Sequence, residues 1–167
     1  MTERVVWSAD EALEQLYAAH WRSLVRLSVL LVRDQGVAEE VVQDAFVAVH
    51  ARWARLRDPG RALAYLRQTV VNRSRSALRH RAVVERHAAT LRTVDSPDST
   101  PDSDRREVVL DALRALPQRQ REVLALRYYL DLSEADIADA LGISRGAVKS
   151  HASRGAAALR ELLQEDQ

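Results

Sequence analysis

Residues 133 to 154, S-E-A-D-I-A-D-A-L-G-I-S-R-G-A-V-K-S-H-A-S-R, constrain the fold more than any other stretch of the chain. Ser133 stands where a helix N-cap is needed, and Asp136 three residues on fits a capping-box spacing. Ile137, Ala138 and Leu141 recur at helical intervals and make one apolar face. Gly142 supplies the left-handed residue that ends such a helix. Ile143 then plugs a tight turn, and Ser144 caps a second helix. Two capped helices joined through a glycine make a helix-turn-helix, whose second helix is shaped for a DNA major groove.

The second helix can be laid out at about 100° per residue. Val148, Ala152, Gly155, Leu159 and Leu162 then share one narrow arc, the side to be buried. Lys149, Ser150, Ser153 and Arg154 fall outside it. Between Ile143 and Arg160 the charged residues are Arg145, Lys149, Arg154 and Arg160, with no acid among them. A basic face of small residues suits a phosphate-lined groove. An ordinary helical hairpin with a solvated basic face is the competing reading.

Charge along the rest of the chain is blocked. The net charge is only +1. Yet Arg57, Arg61, Arg67, Arg73, Arg75, Arg79, Arg81, Arg86 and Arg92 are opposed within their segment only by Asp58 and Glu85. The next segment reverses the sign: Asp95, Asp98, Asp102, Asp104, Glu107 and Asp111 outnumber Arg105 and Arg106. A basic segment is thus followed by an acidic one, and the net charge argues against a uniformly basic binder. The chain has no cysteine, which excludes disulfides, thiol nucleophiles and zinc–thiolate sites. Its N-terminus, M-T-E-R-V-V-W-S-A-D-E, lacks an apolar signal core, and no apolar run approaches the roughly 18 residues of a membrane helix. A soluble, cytoplasmic protein is expected.

The periodicity predicts an all-α fold of two small helical domains on a flexible linker. Ser8-Ala9-Asp10-Glu11 opens a first helix carrying Leu13, Leu16, Tyr17, Leu24, Leu27, Leu30 and Leu31, with Gly36 closing it or its loop. A second helix is expected from about Val37 to Leu56. A turn at Asp58-Pro59-Gly60 follows, and a third helix from about Arg61 to Arg81. Residues 93–103, T-V-D-S-P-D-S-T-P-D-S, offer almost nothing to bury and read as linker. The N-terminal domain thus spans 1–92 and the C-terminal domain 104–167. The latter begins with a helix from Asp104 to Leu116 and a second opened by Pro117 at its first position.

The third helix carries its own polar stripe. Arg61, Tyr65, Gln68, Asn72, Arg75 and Arg79 fall within an arc under about 90° wide, opposite Leu63, Leu66, Val70 and Ala77. Guanidinium groups suit phosphates, amides read base edges and a tyrosine stacks on bases. A solvated helix face is the bland alternative. His20, His50, His80, His87 and His151 lack metal-ligand spacing, and neither a glycine-rich phosphate loop nor G-x-S-x-G occurs. No metal, cofactor or catalytic group is expected.

Four stretches together resemble a bacterial RNA polymerase sigma factor of the extracytoplasmic-function (ECF) type, in particular the actinobacterial sigma-E-like group. They are L-Y-A-A-H-W-R-S-L-V-R-L (16–27), A-E-E-V-V-Q-D-A-F-V-A-V-H-A-R-W (38–53), Y-L-R-Q-T-V-V-N-R-S-R-S (65–76), and residues 113–138 with the helix-turn-helix. Other regulators share a helix-turn-helix; its order after the D-A-F and V-V-N segments makes the match specific.

The resemblance implies a non-enzymatic polymerase subunit that selects promoters and helps open the DNA. It places the β′ clamp helices of core polymerase against Gln43, Asp44, Val47 and Arg52, leaving Phe46 and Trp53 to the core. It implies −10 recognition by Arg57, Arg61, Tyr65, Gln68, Asn72, Arg75, Ser76 and Arg79. It implies −35 recognition by Ser144, Arg145, Lys149, Ser150, Ser153 and Arg154. His151 and Ser153 stand where many relatives carry bulkier or basic residues. The β flap and an anti-sigma protein are further implied partners. A helix-turn-helix regulator acting apart from polymerase is the alternative; it needs a pocket or phosphoacceptor in residues 1–92. A nucleic-acid enzyme needs clustered carboxylates or a catalytic His or Cys.

Overall fold

The computed structural model describes residues 8–87 and 101–165. Residues 1–7, residues 88–100 (the end of the expected N-terminal domain and most of the expected linker) and the last two residues lie outside the described residues. The described chain holds seven α-helices and no strand: α1 (Ala9–Val32), α2 (Gln35–Arg52), α3 (Ala62–His87), α4 (Pro101–Ala115), α5 (Gln118–Leu124), α6 (Glu134–Leu141) and α7 (Arg145–Glu165). The all-α expectation holds.

Local chemistry sets most boundaries. Ser8 and Glu11 form the full reciprocal capping box of α1. That helix stops at Arg33, which adopts a left-handed φ of 54°. Asp34 then caps α2 through a 3.0 Å bond from the Val37 amide. Gly36, expected to close the first helix or the loop behind it, lies instead in the first turn of the second, because Asp34 supplies the acceptor that turn needs. The second helix ends at Arg52 rather than near Leu56; short 3-10 turns at Trp53–Arg55 and Pro59–Arg61 lead into α3. The latter runs on to His87, past the expected end at Arg81.

In the C-terminal half, α4 begins at Pro101, so residues 101–103 belong to its first turn rather than to a linker. Proline at the first position and Asp102 and Asp104 nearby all favour a helix N-terminus. Pro117 is the N-cap of α5, one position earlier than expected. A five-residue π-helical segment, Ala125–Tyr129, follows α5.

α1, α2 and α3 pack on one another around Leu24, Leu27, Val42, Leu66, Val70 and Val71, all sealed from solvent. Two buried hydroxyls within this core, Ser28 and Ser74, satisfy each other at 2.9 Å. α5, α6 and α7 close over Val123, Leu126, Ile137 and Val148. Arginines finish the helix ends: Arg81 donates to the Val32 carbonyl at 2.9 Å, and Arg121 to those of Leu113, Arg114 and Leu116 at 2.9–3.1 Å. These bonds add donors at carbonyls near the helix ends, where the intrahelical pattern runs out. The two halves also pack together: α3 lies on α6, the π-helical segment on α1, and Arg33 of the first half pairs with Asp111 of the second.

Candidate nucleic-acid and polymerase interfaces

The C-terminal reader is built as its sequence implies. The Ser133 hydroxyl accepts from the Asp136 amide at 3.1 Å, and Gly142 ends α6 at φ 63°. The Ser144 hydroxyl accepts from the Ala147 amide at 3.1 Å and so starts α7. Ser144 is therefore a cap first, with only its hydroxyl proton left for a phosphate. Ile137 and Val148 are fully buried between the two helices, with Ile143 packed at their edge. Gly155 lets α7 approach α5 closely, since a Cβ there would stand 3.2 Å from Gln120 Cβ and from Leu124 Cδ1.

The opposite side of α7 exposes Arg145, Lys149, Ser153 and Arg154, with Ser150 half-buried beside them. Lys149 Nζ lies 3.9 Å from Glu134 Oε2. Lys149 is mostly exposed and the contact is at the limit of an ion pair, so it costs little to break, although Glu134 is itself half-buried.

The stripe on α3 is present, but it is not wholly free. Tyr65, Asn72, Ser76 and Arg79 are exposed, and Arg57 lies exposed in the loop before the helix. Gln68 is half-buried. Arg61 pairs with Asp139 of α6 at 3.0 Å. Arg75 is engaged most deeply. Its Nη2 donates to Glu122 Oε2 at 2.6 Å and to Oε1 at 3.1 Å, and its Nε to Oε1 at 3.2 Å. The side chains of Arg75 and Glu122 are 20% and 3% exposed. The expectation of an uninterrupted solvent-facing stripe is thus corrected: carboxylates of the second half pair with two of its arginines, largely burying Arg75 and leaving Arg61 exposed.

Arg67, just off the stripe, is also partly buried, and desolvation holds its pKa below the ordinary guanidinium value, against the opposing pull of Asp136. Sequence reading had no signal for Glu122, Asp136 or Asp139 as partners, because they lie far along the chain.

Gln43, Asp44, Val47 and Arg52 all stand exposed on α2, with Val47 63% accessible. Phe46 is buried and Trp53 half-buried, as their assignment to the core required. Asp44 and Arg52 line a cleft of about 550 Å3 between α2 and α3, together with Tyr65, Thr69, Asn72, Arg73 and Ser76. Two faces that the sequence treats separately therefore meet in one groove. Thr69 and Arg73 belong to it although neither lies on the predicted arc. Beside Val47, Tyr17 stacks on Trp21 at 4.7 Å between ring centroids and meets Phe46 edge-on at 5.3 Å. Tyr17 keeps nearly half of its surface exposed.

Comparison with known proteins gives these faces a frame. Residues 16–83 match the family model "Sigma-70 region 2", and residues 106–159 match "Sigma-70, region 4". The chain is 35% identical over 142 residues to the RNA polymerase sigma-E factor of Streptomyces avermitilis, covering 85% of this chain and 79% of that one. It belongs to the ECF sigma factors.

The RNA polymerase sigma factor CarQ of Myxococcus xanthus is 32% identical over 98% of this chain and 95% of its own. The ECF sigma factor SigM of Mycobacterium tuberculosis is 32% identical over 91% and 77%. Among solved structures, the sigma factor RpoE bound to the anti-sigma factor NepR from Bartonella quintana shares the fold at a TM-score of 0.75 and 24% identity, over 92% of this chain and 98% of that one. CnrH in complex with the cytosolic domain of CnrY aligns at 0.75 and 25%, over 95% and 96%. This sigma factor directs promoter-specific transcription with core RNA polymerase, and its partners are that polymerase and promoter DNA. No described helix is long and apolar enough to cross a membrane.

Proposed function

We propose a division of labour over two modules, 1–92 and 104–167, joined through 93–103, whose last three residues already begin α4, in a cytoplasmic protein that adds no catalytic group of its own. Gln43, Asp44, Val47 and Arg52 dock the β′ clamp helices. Arg57, Arg61, Tyr65, Gln68, Asn72, Arg75, Ser76 and Arg79 take the non-template strand of the −10 element, stacking on bases and pairing with phosphates. Ser144, Arg145, Lys149, Ser150, Ser153 and Arg154 read the −35 element in the major groove. Each reader alone makes too few contacts for tight specific binding. Held on one polymerase they act bivalently, and the tether sets which element spacings are reachable. An anti-sigma protein is a further expected partner, since both structural neighbours are complexes of that kind.

The observation that carries this reading is the region 2 and region 4 matches falling on a helix with an Arg–Asn–Tyr stripe and on a capped helix-turn-helix. Co-purification with core polymerase tests its first step. Asp44→Lys combined with Gln43→Ala should weaken association while circular dichroism stays unchanged, because both side chains are exposed. Normal co-purification of the folded double variant would remove α2 as the docking face.

A further inference from the structure

The helix that enters the groove is basic, yet an acid of the preceding helix stands against it. From Ile143 to Arg160 the charged residues are Arg145, Lys149, Arg154 and Arg160, with no carboxylate among them. The three acids of α6 are Glu134, Asp136 and Asp139. Asp136 and Asp139 line a gap shared with Arg61 and Arg67 of α3. Glu134 belongs to the reader instead, with its Oε2 3.9 Å from Lys149 Nζ. Its side chain is 26% exposed against 69% for the lysine. The carboxylate is therefore the fixed member of the pair and the ammonium the free one.

We infer that Glu134 is a specificity-determining residue of the −35 reader: it stays beside Lys149 on the DNA and reserves that ammonium for the neutral edge of a guanine, against phosphates. The inference rests on the assignment of −35 reading to α7.

The two acceptors that DNA offers differ in charge. A phosphate brought to Lys149 meets the Glu134 carboxylate as well and is repelled by it. The N7 and O6 atoms of guanine are neutral and meet no such repulsion. An ammonium has three donors, so one kept for Glu134 leaves two for N7 and O6. Lys149 is the only lysine among the 25 basic residues of the chain. A compact ammonium on a flexible stem can serve two partners on different sides, whereas a planar guanidinium fork commits its paired donors to one. Glu134 thus sharpens selection by weakening the wrong complex rather than by strengthening the right one.

The surroundings fit this role. Glu134 directly follows the N-cap Ser133, where the end of α6 stabilises a negative charge. Three residues before Lys149, Gly146 leaves the surface low: a Cβ there would meet only Ser144 Oγ, at 3.9 Å. With Ser150 and Ser153 also small, the helix can sit close to the base edges that the ammonium must reach. Arg145 and Arg154 stand exposed on the same face and are left to the phosphates.

Holoenzyme reconstituted with the full-length chain provides the test. A promoter pool randomised over the upstream element first identifies the guanine whose enrichment is lost with Lys149→Ala. Binding is then measured to the selected promoter and to one with that single base pair inverted. Glu134→Gln should leave the selected promoter nearly unchanged and bind the inverted one about threefold more tightly, the scale of a screened charge interaction. On the inverted promoter its salt dependence should steepen by about 0.9 in log K against log salt, the mark of one further phosphate contact. In a chain that already carries Lys149→Ala, the added Glu134→Gln should no longer distinguish the two promoters.

An equal gain on both promoters would overturn the inference, because Glu134 would then act only as a general negative charge. So would a difference between the promoters that persists without Lys149. In both cases −35 reading by α7 would stand. If Lys149→Ala alters enrichment at no position of the pool, that reading itself falls, and the role of Glu134 falls with it.

Discussion

Gly142 offers the sharpest test of how the reader is held in shape. It ends α6 at φ 63° and ψ 37°, and a Cβ built there meets no heavy atom within 4 Å. Any cost of substitution is therefore conformational rather than steric crowding by neighbours. A left-handed backbone costs an L-residue roughly 1–2 kcal/mol. Alanine returns part of this, about 0.4–1 kcal/mol, by narrowing the unfolded ensemble. Gly142→Ala should thus destabilise by about 1 kcal/mol, Gly142→Asn by less, and Gly142→Val by more, since asparagine tolerates this region and β-branched residues do not. Arg33 and Asp131, at φ 54° and 53°, show that the chain sustains such residues where the surroundings hold them. Urea denaturation followed by far-UV circular dichroism reads the series, and a loss of 1 kcal/mol should lower the melting temperature by about 2–4 °C for a chain of this size. If asparagine proves as harmful as valine, the backbone argument is wrong and some contact of the glycine itself must be responsible.

Three further outcomes are expected. Lys149→Ala or Arg154→Ala should cut use of the cognate promoter by an amount matching about 1–3 kcal/mol per lost groove contact while core binding is retained; unchanged run-off yields from both would detach α7 from −35 reading. Asn72→Ala should impair opening of a matched promoter far more than of one whose −10 region is already mismatched, because the unpairing cost is then met in advance; equal permanganate reactivity deficits on both templates would count against base capture. Burial, with a smaller contribution from Arg67, holds the His20 imidazole below 6.5. The unfolded chain then binds that proton more readily than the folded one, so this residue makes stability fall as pH drops below about 6.5, and His20→Gln should flatten that part of the denaturation profile.

The parts of the fold that were legible are those with local signals. Ser133, Gly142 and Ser144 act within a few residues of themselves, and Val148, Ala152 and Gly155 mark a buried face by spacing alone. The same holds for Ser8 and Glu11 at the start of α1. Boundaries failed where periodicity continued past a helix end. Trp53 and Leu56 keep the apolar rhythm of α2 although the backbone has already turned into 3-10 geometry. Gly36 reads as a stop, but Asp34 two residues earlier wins because it caps an amide.

The candidate site was legible as a face but not in its state. Arg61 and Arg75 fall on the stripe by angle, yet the carboxylates they meet are 78 and 47 residues away in sequence. Glu122 looks like one polar residue in the run Q-R-Q-R-E, and only tertiary packing makes it buried. The groove joining Asp44 and Arg52 to Tyr65 and Asn72 was equally hidden, because it forms between two helices rather than along one.

The central claim is that this chain redirects core RNA polymerase to promoters through two separate readers. Transcription by purified core polymerase on a pool of genomic fragments, with and without the chain, tests it most directly. The account predicts chain-dependent start sites sharing two upstream sequence blocks at a fixed spacing, with Lys149→Ala disturbing selection at the upstream block and Asn72→Ala impairing opening at the downstream one. Start sites identical to those of core polymerase alone, despite stable association of the folded chain, would contradict it.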